Sequence, residues 1–221
     1  MALNLCEKLQ TMPLFQGMTR DNLMQIIGQT KFRFETFAPM SIVRGEGTPC
    51  DGITMLISGK AVSKAYADDH GYSVEENIEA PYVIQPECFT GLSQHYTRTF
   101  TATSECGTIT IGKSDIMHIS DEFIIFRINL LNIISAKLQK AERKLWRPTP
   151  PDTRAHIASF IKAHCLEPIG SKTIRIKMTR LAQEMGTSRL DVSKALNAMK
   201  ADGTLNFSRG IIFVPALEEL A

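Results

Sequence analysis

Thr179-Arg180-Leu181-Ala182-Gln183-Glu184-Met185-Gly186-Thr187-Ser188-Arg189-Leu190-Asp191-Val192-Ser193-Lys194 is the stretch that decides the architecture. Leu181, Ala182 and Met185 are spaced to bury one side of a short helix. Gly186 supplies a tight turn in which φ can be positive. Thr187 or Ser188 caps a second helix reaching Lys200, and the start of that helix points backbone N–H groups at any nearby anion. Val192, Leu196 and Met199 succeed one another at spacings that bury them together. Leu190, Ser193, Lys194 and Asn197 fall opposite, with Arg189 on the flank. A polar, basic face on a helix whose other face is core is what reading a DNA major groove requires.

The neighbouring sequence extends the pattern. A helix is expected over 152–165, a short strand over 173–176, and Gly203 ends the helix at 188–200. The runs 204–207 and 211–214 flank Ser208-Arg209-Gly210 as a hairpin. Helix, strand, helix, glycine turn, helix and hairpin is the order of a winged helix-turn-helix. Thr179 and Ser188, near the two helix starts, and Arg209 at the wing tip are expected on phosphates. Arg189, Leu190, Ser193, Lys194 and Asn197 are expected at base edges. Leu190 has no acceptor for cytosine, but its methyls can pack on the thymine methyl.

Charge supports this placement. The chain has 221 residues and a formal net charge of only +2. Residues 1–147 carry 15 Lys and Arg against 16 Asp and Glu, whereas 171–209 carry 8 against 3. A basic excess confined to one segment favours a polyanionic partner there.

Arg147-Pro148-Thr149-Pro150-Pro151 cannot continue a helix, because the prolines remove donors and fix φ. It reads as a hinge, with Asp152 as the cap of the next helix. Before it, 115–146 reads as one long helix with two apolar stripes. Phe123, Phe126, Leu130 and Ile133 can pack on their own domain. Ile124, Ile128, Leu131, Ile134 (or Ser135), Leu138, Ala141 and Leu145 form a near-heptad seam suited to a second copy of the chain. Between about 31 and 112, short runs rich in Phe, Ile, Val and Thr alternate with Gly, Pro and Asp turns, the pattern of a β-sandwich or barrel. Residues 1–30 read as helical, with Leu5, Leu9, Leu14, Leu23 and Ile26 inward and Thr19 or Asp21 as a cap.

These segments resemble the Crp/Fnr family of bacterial transcription regulators over nearly the whole length. Pro13-Leu14-Phe15-Gln16-Gly17-Met18 resembles the family's opening, and Arg44-Gly45-Glu46 with Ile53–Val62 its β-roll hairpin. Thr179–Leu196 resembles its helix-turn-helix and is the most specific part. The resemblance implies an α+β protein with four parts. They are an antiparallel β-roll sensor at 1–114, a dimerisation helix at 115–147, a hinge at 148–151 and a winged helix-turn-helix at 152–221. It implies a homodimer on a palindromic double-stranded DNA site, with RNA polymerase as a further partner. Glu7 and Lys8 come too soon for a signal peptide, so the chain is expected in the cytoplasm. No run approaches the ~20 apolar residues of a membrane span.

Relatives that bind cyclic nucleotides have a Gly-Glu pair opening a short helix and an Arg-Ser or Arg-Thr pair closing the cassette. Here Arg98-Thr99 matches the closing pair and Gly91 is present, but Leu92 stands where the glutamate should be. Gly91, Leu92, Arg98 and Thr99 are therefore the candidate effector residues, and an effector other than a cyclic nucleotide is expected if one acts. Two alternatives stay open: a cyclic-nucleotide-responsive regulator with an altered cassette, and a β-roll adaptor that has lost DNA binding. No cofactor is expected. Cys6 stands alone where an iron–sulfur cluster needs several thiolates, and His70, His95 and His118 read as loop or core residues. An enzyme is not expected, since no His-x-His pair, paired acid and base, or evident nucleophile occurs.

Overall fold

The computed structural model describes residues 2–146 and 149–220. The side chain of Leu145 and residues Arg147 and Pro148, part of the expected seam and hinge, lie outside the described set. The elements in chain order are α1 (Ala2–Gln10), α2 (Arg20–Gln29), β1 (Phe32–Phe37), β2 (Ile42–Arg44), β3 (Gly52–Ser58), β4 (Lys60–Tyr66), β5 (Tyr72–Glu79), β6 (Tyr82–Ile84), β7 (Thr99–Ala102), β8 (Cys106–Gly112), α3 (Lys113–Glu122), α4 (Ile124–Leu145), α5 (Thr153–His164), β9 (Lys172–Ile176), α6 (Met178–Met185), α7 (Arg189–Ala201), β10 (Asn206–Ser208) and β11 (Ile211–Val214). Among the described residues no helix is long and apolar enough to cross a membrane.

The chain divides into two compact units. The first holds Met1–Ala61 and Ile78–Arg143. Its four-stranded antiparallel sheet has the order β1-β8-β3-β6, and β2 pairs with β7. Thr19 caps α2, its side-chain oxygen accepting from the Asn22 N–H at 3.2 Å. Ile53, Met55, Ile109 and Ile111 point from the sheet into a core that also takes Leu9, Leu14, Phe15, Leu23 and Ile26. Thr54 and Thr110, cross-strand partners, are buried as well. Both hydroxyls accept from Arg44, at 3.1 and 2.9 Å, and Glu35 takes the same guanidinium at 2.7 Å. Polar side chains are tolerated there because each is hydrogen-bonded.

The long helix expected over 115–146 is two helices. Phe123 adopts φ −115°, ψ 97° between α3 and α4. Neither Pro nor Gly forces the break. Phe123 is buried beside Phe126, whose ring lies 5.3 Å from that of Phe15. Burial of this aromatic pair re-aims α4, and Asn129 on α4 donates to the carbonyls of Leu14 and Gln16. The two stripes separate in part: Ile134, expected in the outward seam, is half-buried against the same core as Ile133. Phe123, Phe126 and Leu130 are buried, while Ile124, Ile128, Leu131 and Leu138 are 47% to 68% exposed.

The second unit holds Val62–Asn77 and Lys144–Ala221. The sequence boundaries put residues 62–77 wholly in the β-roll; the contacts place them with the C-terminal unit instead. The reason is strand pairing: β5 runs antiparallel to β9 from Tyr72↔Ile176 to Glu76↔Lys172, and β9 pairs in turn with β11. A buried ion pair keys this register. Lys172 Nζ lies 3.0 Å from Glu76 Oε2, with side chains 1% and 0% exposed. Glu76 also accepts from the N–H groups of Leu166 and Glu167. On the outer face Glu75 accepts from Arg175 at 2.9 Å and pairs with Lys64 at 3.1 Å. Helices α5, α6 and α7 cover the other face with Ile157, Ile161, Leu181, Met185, Val192, Leu196 and Met199.

Candidate nucleic-acid interface

The second unit contains the helix–strand–helix–turn–helix–hairpin order expected from sequence. Asp152 caps α5, its carboxylate accepting from the Ala155 N–H at 2.8 Å. Helix α6 ends at Gly186, in the left-handed region at φ 61°, where its N–H reaches the carbonyls of Ala182 and Gln183. That conformation costs glycine little and other residues more, so the three residues Gly186 to Ser188 suffice to connect α6 to α7. Ser188 is the N-cap: its Oγ accepts from the Asp191 N–H at 3.1 Å and donates to Asp191 Oδ2 at 2.7 Å. This reciprocal cap fixes the start of α7. It also commits the Ser188 hydroxyl to Asp191, so any anion there meets backbone N–H groups beside a carboxylate.

Val192, Leu196 and Met199 anchor α7 in the core. Arg189, Leu190, Lys194 and Asn197 are exposed along the rest of the helix, and Ser193 is half-buried between the two faces. Leu190 is 63% exposed. The Asn197 amide donates to the Ser193 carbonyl at 2.8 Å, leaving its oxygen and one N–H for another partner. Thr179 is exposed in the first turn of α6. Arg209 and Gly210 have φ 45° and 83° and form the two-residue loop between Ser208 and Ile211. A turn with two positive φ values matches the twist of a hairpin, and it holds Arg209 outward at the tip.

Cation counting from sequence overstated the free charge. Of the eight Lys and Arg between 171 and 209, Lys172 is buried on Glu76, Arg175 is paired with Glu75, and Arg180 with Asp69 and Glu184. Lys177, Arg189, Lys194, Lys200 and Arg209 are exposed and make no ion pair among the described residues. Acids are equally occupied: Asp202 pairs with Arg154 and Asp191 serves the cap. Lys177, immediately before α6, is a candidate contact that the sequence reading passed over; its position next to the first helix start was the available signal.

The candidate effector residues belong to the first unit. A short 3₁₀ turn covers Pro86–Phe89, and among the described residues no helix follows before β7. Gly91 has φ 97° and open space around it, and Leu92 is fully exposed. The Thr99 hydroxyl accepts from the Glu46 N–H at 3.1 Å. Arg98 is half-buried just before β7. The family's cassette helix is therefore not formed here. Tyr96, between them, is buried and close to Thr54, and burial pushes its phenol up to about 12. All five cysteines are free and buried, and burial raises the Cys88 thiol to about 11, which keeps it protonated and unreactive.

No protein-family model matches the chain, and no curated protein matches it by sequence. Solved structures do. The Thermus thermophilus catabolite activator protein is 17% identical, with 91% of this chain and 93% of that one covered at a TM-score of 0.54. The sensor domain of the transcriptional regulator DNR from Pseudomonas aeruginosa is 15% identical, with 63% of this chain and 91% of that one covered at 0.52. The first likeness runs through both units, and together they give this chain a Crp/Fnr-like fold.

Proposed function

We propose that this chain, with its Crp/Fnr-like fold, is a transcription regulator that binds double-stranded DNA as a homodimer. In this reading residues 1–114 serve as sensor, 115–147 as dimerisation segment and 148–151 as hinge. Residues 152–221 form a winged helix-turn-helix, with the β4–β5 hairpin added to its sheet. The observation that carries the reading is α7. It comes after a tight glycine turn, buries Val192, Leu196 and Met199, and exposes Arg189, Leu190, Lys194 and Asn197. Arg189, Lys194 and Lys200 on α7, with Lys177 and Arg209, make no ion pair among the described residues. A helix so arranged fits a major groove, while Thr179, Lys177 and the wing residue Arg209 meet phosphates.

Self-association is supported by the exposed seam on α4. Two such seams laid together bury Ile124, Ile128, Leu131 and Leu138, and a two-fold dimer presents two reading helices to an inverted-repeat site. Control of transcription then runs through contact with RNA polymerase. A cyclic nucleotide is not the effector in this reading, because an exposed Leu92 offers no acceptor to a ribose hydroxyl.

Selection of binding sites from a random duplex pool tests the proposal. It should return an inverted repeat, with half-sites about one helical turn apart. The Leu190→Glu variant should shift one position in each half-site from thymine toward cytosine. An unenriched pool would defeat the DNA-reading function, and identical motifs from both proteins would remove Leu190 from the reading set.

A further inference from the structure

Arg180 occupies the third position of α6, one residue past Thr179. Its Nη2 lies 2.8 Å from Asp69 Oδ2 and 2.8 Å from Glu184 Oε1. Its Nε is buried and has no hydrogen-bond partner among the described residues. The guanidinium carbon sits 6.0 Å from the centre of the Tyr72 ring. Two carboxylates thus hold one cation at the helix start that, under the proposed function, approaches the DNA backbone.

Glu184 is a neighbour on the same helix, one turn on. Asp69 is not; it comes from the turn joining β4 to β5, and that turn is shaped to present it. The Ala67 N–H bonds the Tyr72 carbonyl at 3.0 Å, and the His70 N–H bonds the Ala67 carbonyl at 2.8 Å. His70 takes φ 54° to allow this. The Gly71 N–H donates to Asp69 Oδ1 at 2.9 Å, which leaves Oδ2 for Arg180. Strand register sets the position: Tyr72 pairs with Ile176, two residues before α6 begins. The acidic turn 67–71 is thereby fixed against the first turn of α6, with Asp68 adding a second negative charge.

We propose that this turn is an autoinhibitory contact, and that Arg180 is a phosphate ligand held in reserve by Asp69. The proposal rests on the DNA-binding function above. A phosphate offers arginine two oxygens in the paired geometry that the guanidinium matches, whereas Asp69 offers one. While Asp69 stays in place it neutralises Arg180, and both aspartates repel an approaching phosphate. Loss of the Asp69 contact frees the guanidinium for a phosphate, with Glu184 alone still beside it, and removes that repulsion.

Binding of the full-length chain to a random-sequence duplex, measured by fluorescence anisotropy across salt, tests this. Asp69→Asn retains an oxygen for the Gly71 N–H, so the turn keeps its shape while its charge is lost. The variant should bind several-fold more tightly at low salt, and its plot of log affinity against log salt should steepen by about one unit, the value of one added phosphate contact. Arg180→Gln alone should weaken binding, because it leaves Asp69 and Glu184 without their counter-ion, and in the Asp69→Asn background it should erase the gain. A gain that survives Arg180→Gln, or an Asp69→Asn protein that binds no better than the parent, overturns the proposal while leaving DNA binding intact. If neither the parent nor Asp69→Asn binds duplex at low salt, the DNA-binding reading fails and takes this one with it.

Discussion

Replacing Glu76 with leucine should strongly destabilise the second unit. Lys172 and Glu76 lie 3.0 Å apart with almost no exposed surface. At an effective dielectric of about 20, that separation gives an attraction of about 5.5 kcal/mol. Desolvation of both charges offsets much of it in the intact protein, so the pair itself adds little net stability. Breaking it is different. Glu76→Leu leaves the Lys172 ammonium buried without its carboxylate and removes the acceptor used by Leu166 and Glu167, so the expected loss is about 3–5 kcal/mol. Lys172→Met should cost less, roughly half, because Glu76 keeps those N–H donors. The double variant Glu76→Leu/Lys172→Met should be better than additive, with a coupling of about 1–3 kcal/mol. Hydrogen exchange read by mass spectrometry on the peptide containing 172–176 reports this directly. Protection should fall by about two to four decades for Glu76→Leu, at 1.36 kcal/mol per decade. Equal losses for the two single variants, or a fall of less than one decade for Glu76→Leu, would refute the reasoning.

Three further outcomes rest on the same geometry. Under the proposed function the parent should sediment as a dimer, and Leu131→Glu, which puts a charge into the exposed seam of α4, should yield monomers; an unchanged dimer would place the interface elsewhere. Millimolar cyclic AMP should leave the melting temperature unmoved, since Leu92 is exposed and the cassette helix is missing; a rise of several degrees would show binding to the native state. Burial pushes the Glu75 carboxyl up, but hydrogen bonds from Arg175 and Lys64 outweigh it and hold the group below its ordinary 4.5. A carboxylate depressed in this way stabilises the fold fully above the unfolded value and loses that contribution as pH falls through the folded one. Glu75→Gln should therefore be less stable than the parent at pH 7, and the gap should close below about pH 4.5; a gap that stays constant from pH 7 to pH 3 would contradict the assignment.

The parts of this protein that could be read from sequence are those set by local chemistry. The Gly186 turn, the caps at Thr19, Asp152 and Ser188, and the Arg209–Gly210 hairpin loop each depend on a few adjacent residues. Helical spacing was enough to sort Val192, Leu196 and Met199 inward and Leu190 outward. The break at Phe123 was not legible, because no breaker marks it and the segment after it is held by Phe126 packing on Phe15, over a hundred positions away in the chain. Assignment of the β4–β5 hairpin to the C-terminal unit was hidden for the same reason. It depends on the pairing of β5 with β9 and on a carboxylate meeting an ammonium 96 residues on. That pairing also takes Lys172, Arg175 and Arg180 out of the basic surface, which charge counting along the chain cannot reveal. Three-residue β2 carries too short a pattern to separate it from a turn.

Under the proposed function, the second unit binds duplex DNA chiefly through its five unpaired cations and the exposed face of α7. The most direct test is a fluorescence anisotropy titration of the full-length chain against a random-sequence duplex, repeated from about 50 to 200 mM salt. Binding should be measurable at low salt, with a log affinity that falls linearly with log salt at a slope of several units, and Arg209→Gln should make that slope shallower by about one unit. Undetectable binding at the lowest salt, or an affinity indifferent to salt, would contradict it.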